Sequence, residues 1–168
     1  MSHSKIDLLS NRSKEDTPLD EKCQLLDASA WGREFSYEHI QYLAEHMDLY
    51  QLKKGESLFS EGEKCSYFVL IIKGHLDVLK KDDQNKLKKI VTLRAGNTIG
   101  EMGLIDNETR SATVVAATDI SVLVMTTEGF KKMCEARPRV ALELVMRFAK
   151  QISQHLRLAT GKLVDYLE

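Results

Sequence analysis

Cysteine is scarce in this chain of 168 residues. Cys23, Cys65 and Cys134 stand far apart, are odd in number and form no CxxC pair. That pattern supports neither a disulfide framework nor a cysteine-held zinc or iron–sulfur site, and a reducing compartment is the expectation. Histidine is equally dispersed: His3, His39, His46, His75 and His155 are isolated, and His75 has no histidine two residues away. A clustered metal site is not expected. Charge of one sign is lacking too, since 24 Lys and Arg face 25 Asp and Glu for a formal net charge of −1. Bulk charge therefore gives no electrostatic footprint for nucleic acid. Long apolar runs are absent: the run from Tyr67 to Ile72 is far too short to cross a bilayer, and the N-terminal MSHSKIDLLSNRSKEDTPLD has no signal-peptide core. The expectation is a cytoplasmic protein with no membrane contact. There is no G-x-S-x-G, no G-x-x-x-x-G-K and no cysteine in a nucleophile motif, so nothing argues for an enzyme.

What is present falls into three textures. Residues 1–22 are polar and weakly periodic and read as a flexible tail, although Leu8 and Leu9 offer docking points. A single domain over 23–168 follows, with a helical lead-in at 23–48. There Leu25 and Leu26 hint at a short helix, and Trp31 and Phe35 look like core anchors. Ser36 is placed to cap a second helix that aligns Ile40, Leu43 and Met47. Short β-rich segments then recur over 49–126, punctuated by Lys54-Gly55, Glu61-Gly62, Lys73-Gly74 and Ala95-Gly96-Asn97. The expected fold is mainly β with flanking helices: a jelly-roll-like β-roll, or double-stranded β-helix. Helices return over 127–168, with Pro138 opening a long one expected to run to about Thr160 before Gly161. Val145, Phe148, Ile152, Leu156, Ala159 and Leu163 recur on it at spacings of three and four. That seam suits packing on the roll or on a second copy of the chain.

One stretch, TIGEMGLIDNETRSATV from Thr98 to Val114, carries chemistry. Gly100 and Gly103 let backbone amides approach an anion, and Met102 to Ile105 is long enough for one helical turn with unsatisfied N–H groups. Arg110 adds a guanidinium able to grip a phosphate bidentately, Ser111 a hydroxyl and Ala112 an amide. A carboxylate repels phosphate, so Glu101 fits better as the acceptor of a sugar hydroxyl. Together these describe a cradle for a compact sugar phosphate. The plain alternative is a Glu101–Arg110 salt bridge that pins a loop.

At these residues the chain resembles the cyclic-nucleotide-binding domain family, over roughly residues 30 to 160. GEMGLIDNETRSATV looks like that family's phosphate-binding cassette. KKGESLFSEGE, YFVLIIKGHLDVL and TLRAGNTIGE fall in the order expected of it. The resemblance implies a ligand rather than a cofactor: cyclic AMP, or less favourably cyclic GMP. It implies that Glu101 takes the ribose 2′-hydroxyl and that Arg110 pairs with the exocyclic phosphate oxygens. Ser111 and the amides of Met102 and Ala112, next to Gly100, complete the cradle. Val78, Ile90 and Ile99 would wall the base or ribose, and the helix after Pro138 would be the lid.

Two departures from the family pattern matter. Thr109 stands where many members have proline before the arginine, and the lid carries Gln154, His155, Leu156 and Arg157 where bacterial activators present hydroxyl groups. Only a shift of about a turn would bring Thr160 there, so His155, Arg157 and Thr160 stay together as candidate base contacts. Ser111 in place of threonine leans toward cyclic AMP. The expected role is a stand-alone sensor that relays occupancy to a protein partner, with homodimerisation through the last helix a possibility. No helix-turn-helix pair follows that helix, so direct nucleic-acid binding is not expected. The competing readings are an interaction module with a repurposed pocket and a piece of a longer transcription regulator.

Overall fold

The computed structural model describes residues 14–164. Leu8 and Leu9 lie outside the described residues. The lead-in expected from residue 23 begins earlier, with α1 at Leu19–Ala28, a short 3-10 helix η1 at Gly32–Glu34 and α2 at Tyr37–Glu45. Pro18 stands at the N-cap just before α1, where its missing N–H costs the helix nothing. The residues just before it are already attached to the domain: Lys14 pairs with Asp48 at 2.7 Å and the Glu15 amide donates to the Leu49 carbonyl at 3.1 Å. Part of the expected tail is therefore structured. Ser36 caps α2 by accepting from the His39 amide. Ile40 and Leu43 are buried on that helix, and Met47 is buried just beyond its end.

Eight strands follow: β1 Asp48–Leu52, β2 Ser57–Phe59, β3 Tyr67–Lys73, β4 His75–Lys81, β5 Leu87–Arg94, β6 Thr98–Ile99, β7 Thr113–Ala116 and β8 Ile120–Thr126. They form two antiparallel four-stranded sheets, ordered β1-β8-β3-β6 and β2-β7-β4-β5. This is the β-roll with flanking helices expected from the sequence. The two-residue β6 is an addition to that expectation, because Thr98 and Ile99 are too few to show alternation by themselves.

The apolar run in β3 has a direct explanation in side-chain alternation. Tyr67, Val69 and Ile71 join Leu58, Phe59, Leu76, Val114 and Val122 between the sheets. Phe68 and Leu70 face the other way into the helices with Trp31, Leu43, Leu144 and Phe148. The first sheet is thus buried on both faces, while β5, at the edge of the second sheet, is mostly exposed.

Between β6 and β7 lies α3, Glu101–Asp106, longer than the single turn expected there. Two helices close the domain, α4 Thr127–Ala136 and α5 Pro138–Val164. Helix α5 does not stop before Gly161. A Cβ at that glycine would meet nothing within 4 Å, so its cost is the propensity loss of about 1 kcal/mol, which a long helix tolerates. The expected seam also changes. Val140, Ala141, Leu144 and Phe148 are the buried residues of α5, with the Phe148 ring 4.8 Å from that of Phe68. Val145 and Ile152 are half-buried, and Leu156, Ala159 and Leu163 are exposed because the helix runs past the roll.

Candidate functional site

The cassette is assembled from three distant segments. Gly100 follows β6 in the left-handed region, φ 91°, and a Cβ there would meet the Tyr67 carbonyl at 2.5 Å and Arg110 Nη1 at 2.8 Å. At Gly103 a Cβ would come 3.1 Å from the same nitrogen. Both glycines therefore make room for the arginine, a tighter demand than the backbone approach to an anion inferred from the sequence. The first amides of α3 have no partner within the helix.

Arg110 is 5% exposed and held by several groups. Nη2 donates to the Tyr67 carbonyl at 2.7 Å, Nη1 to the Gly100 carbonyl at 3.2 Å and Nε to Cys65 Sγ at 3.2 Å. The guanidinium also lies over the Phe59 and Tyr67 rings, 4.1 and 4.7 Å from their centroids. A guanidinium has five N–H donors, so one hydrogen on each terminal nitrogen remains for a ligand. Among the described residues no carboxylate pairs with it. The loop-pinning Glu101–Arg110 salt bridge is therefore not what the structure contains.

Glu101 is the complementary anomaly. It is 6% exposed, its Oε2 is buried without a hydrogen-bond partner, and burial pushes its carboxyl above the usual range. Its own backbone amide and the charges of His155 and Arg110 pull the other way and lose. A buried cation without an anion thus stands near a buried acceptor without a donor. Each is unfavourable alone, and an anionic ligand carrying a hydroxyl group relieves both.

The loop from Asn107 to Ala112 frames this pair. Gly62 N–H donates to the Arg110 carbonyl and Arg110 N–H to the Glu63 carbonyl, at 2.8 and 2.9 Å. Lys80 Nζ donates to the Ser111 carbonyl at 2.6 Å and to Glu61 at 3.1 Å. Ser111 and Ala112 precede β7; Ser111 is exposed and Ala112 half-buried. Met102 is exposed on α3. Sequence reasoning missed Phe59, Cys65, Tyr67 and Lys80, because nothing in their local pattern marks them as partners of a loop some 30 to 50 residues away.

The candidate base contacts divide. Val78 and Ile99 are half-buried against the inter-sheet core, and Ile90 is 57% exposed beside the bulge in the β4–β5 pairing. His155 is exposed yet close enough for its charge to act on Glu101, and Thr98 Oγ1 bonds Gln151 at 2.6 Å, so this part of α5 approaches the cassette. Thr160 turns to its own helix: its hydroxyl shares one proton between the Leu156 and Arg157 carbonyls, each at 3.0 Å. Both Arg157 and Thr160 lie on the exposed end of α5.

Residues 49–137 match the model of one family, described as the cyclic nucleotide-binding domain, and that match is more than half of the chain. The chain belongs to the cyclic nucleotide-binding domain family. Among its relatives is the cAMP-activated global transcriptional regulator of Salmonella typhimurium, 27% identical over 125 residues, covering 74% of this chain and 58% of that protein. A cGMP-dependent protein kinase of Plasmodium berghei is 40% identical over 80 residues, 48% of this chain and 9% of that one. Both relatives are longer than the part matched. A cyclic nucleotide-binding domain from Methylobacillus flagellatus superposes with a TM-score of 0.77 at 23% identity, covering 89% and 84% of the two chains. That likeness shows the fold. The domain has regulatory relatives, and among its described residues no helix is long and apolar enough to cross a membrane.

Proposed function

We propose that this domain is a cyclic nucleotide sensor, binding cyclic AMP in preference to cyclic GMP through Gly100, Glu101, Met102, Arg110, Ser111 and Ala112. The observation that carries the reading is the unmatched pair: buried Arg110 with two free N–H groups, and buried Glu101 with an unpartnered Oε2. A cyclic phosphate answers the first and a ribose 2′-hydroxyl the second. Ser111, on which the preference for cyclic AMP rests, offers its hydroxyl at the loop tip. Val78, Ile90 and Ile99 line the route to the base, with His155 the nearest lid candidate. Neither relative decides the base, since one is named for cAMP and the other for cGMP. Occupancy reaches a partner through α5, to the extent that the ligand favours one position of that helix over another. The setting is cytoplasmic and the role non-enzymatic.

A thermal shift assay tests the reading. Cyclic AMP at a hundred times its Kd stabilises a binder by about 2.7 kcal/mol, so a saturable rise in Tm is expected for the native chain and not for Arg110→Ala. No rise at millimolar cyclic AMP or cyclic GMP sinks it.

A second reading, self-association, is favoured by one specific observation. Leu142, Met146, Leu156 and Leu163 are all exposed on α5, and with Ala149, Ser153 and Thr160 they keep an alternating three-and-four spacing. That is the seam of a two-stranded coiled coil, offset from the one expected from sequence. It leads to the expectation of a homodimer through α5, compatible with the sensor reading.

A further inference from the structure

A cavity of about 270 Å³ lies between α5, the 3-10 helix η1 and the turn joining β5 to β6. Trp31, Glu34, Asn97, Arg147, Lys150 and Gln154 are among its walls; none of residues 100–112 lines it, whereas His155, the lid candidate of the cassette, does. The Thr98–Gln151 hydrogen bond, 2.6 Å, stands at its edge and ties the strand to the helix.

The walls carry donors without acceptors. Trp31 is 3% exposed and its Nε1 is buried with no partner; Arg147 Nε is in the same condition. The two belong to one unit, since the Arg147 guanidinium lies 5.1 Å from the Trp31 ring centroid. Arg147 Nη1 is already paired with Glu34. Counting Arg147 and Lys150 against Glu34 leaves the walls one positive charge in excess. A buried donor left unmade costs about 1–3 kcal/mol, and two such donors beside a surplus cation favour an acceptor that carries negative charge. The volume exceeds a single water's share of about 30 Å³ several-fold, so it admits a small organic molecule rather than a lone ion.

We propose that this cavity is a second ligand site, taking a small organic oxyanion, a carboxylate or a phosphate monoester, on Trp31 Nε1 and Arg147 Nε with Lys150 supplying charge. Its walls come from the lead-in, the roll and α5. An occupant therefore bridges all three and holds α5 against the roll. The inference does not rest on the cyclic nucleotide reading, although His155 borders both sites.

Trp31 is the single tryptophan of the chain, so its indole N–H gives one resonance in a nitrogen–proton correlation spectrum. The full chain, with no cyclic nucleotide added, is titrated separately with succinate and with glycerol 3-phosphate. A saturable shift of the indole signal is expected with at least one of them, succinate alone marking a carboxylate site and glycerol 3-phosphate alone a phosphate site. The midpoint should weaken at least about tenfold in Arg147→Gln and in Lys150→Ala, the latter at an exposed position that leaves the fold intact, and stay within about twofold in Lys162→Ala. The proposal is overturned if neither probe shifts the signal at millimolar concentration, if sodium chloride at equal ionic strength reproduces the shift, or if Lys150→Ala and Arg147→Gln leave the midpoint unchanged. Because no cyclic nucleotide enters the readout, either outcome leaves the cassette reading to its own test.

Discussion

At the cassette, Glu101 and Arg110 are almost wholly buried, and carbonyls, a thiol and two aromatic rings of the protein itself hold the guanidinium. Along α5 the residues from 153 to 164 are all exposed, Leu156 at 63%, and Thr160 bonds only to its own helix. The same domain therefore presents a rigid, closed end and an open one. On the sensor reading, the difference assigns the sugar phosphate to preorganised groups and leaves the base to a surface that a second chain or a movement of α5 must complete. Affinity should then come from the cassette, where Ser111 gives a modest preference for cyclic AMP, and any sharper selectivity from elsewhere.

Four variants sharpen or break that contrast. Gly100→Ala should have the largest effect, because the added Cβ lands 2.5 Å from the Tyr67 carbonyl at a backbone angle that favours glycine. A loss of about 1–3 kcal/mol in stability is expected in denaturant melts, together with weaker cyclic nucleotide binding. Glu101→Gln comes next. Losing the charged acceptor for a hydroxyl should weaken cyclic AMP by about tenfold in calorimetry. Its pH signature separates it from a packing defect. Burial raises the folded-state pKa of Glu101, so the folded state holds this proton more tightly than the unfolded one. Stability of the unliganded protein should fall as pH rises from the ordinary glutamate range through that raised value, and the Gln variant should lack this part of the slope. Leu156→Lys should turn a dimer into a monomer in light scattering while leaving the cassette assembled. A dimer that persists removes the α5 seam as the interface. Smallest is Thr160→Ala, expected to stay within about 0.5 kcal/mol in both stability and binding, since its hydroxyl is spent on exposed helix backbone. A large loss of cyclic AMP affinity there would show that the open end closes by a turn of α5.

The sequence made the roll legible because short β-rich runs and glycine turns are local signals: Ser36 as a cap, the apolar run of β3 and the start of α5 at Pro138 all follow from neighbours in the chain. The candidate site was legible in part for the same reason, since Gly100, Glu101 and Arg110 sit within one short stretch. What surrounds Arg110 was not. Cys65 reads as an isolated thiol and Tyr67 as a strand residue until the fold brings them under the loop. The end of α5 failed differently: periodicity marks an apolar face but not whether the roll extends far enough to cover it. Leu156 and Leu163 continue a regular spacing past the last point of contact.

The central claim is that a built cassette, rather than the base end, sets affinity, and side-by-side calorimetry with cyclic AMP and cyclic GMP tests it most directly. The account predicts saturable binding of both, cyclic AMP the tighter by no more than about tenfold, and a loss of about 10–100-fold or more for each in Arg110→Ala. Equal affinity of the native chain and Arg110→Ala for cyclic AMP would contradict it.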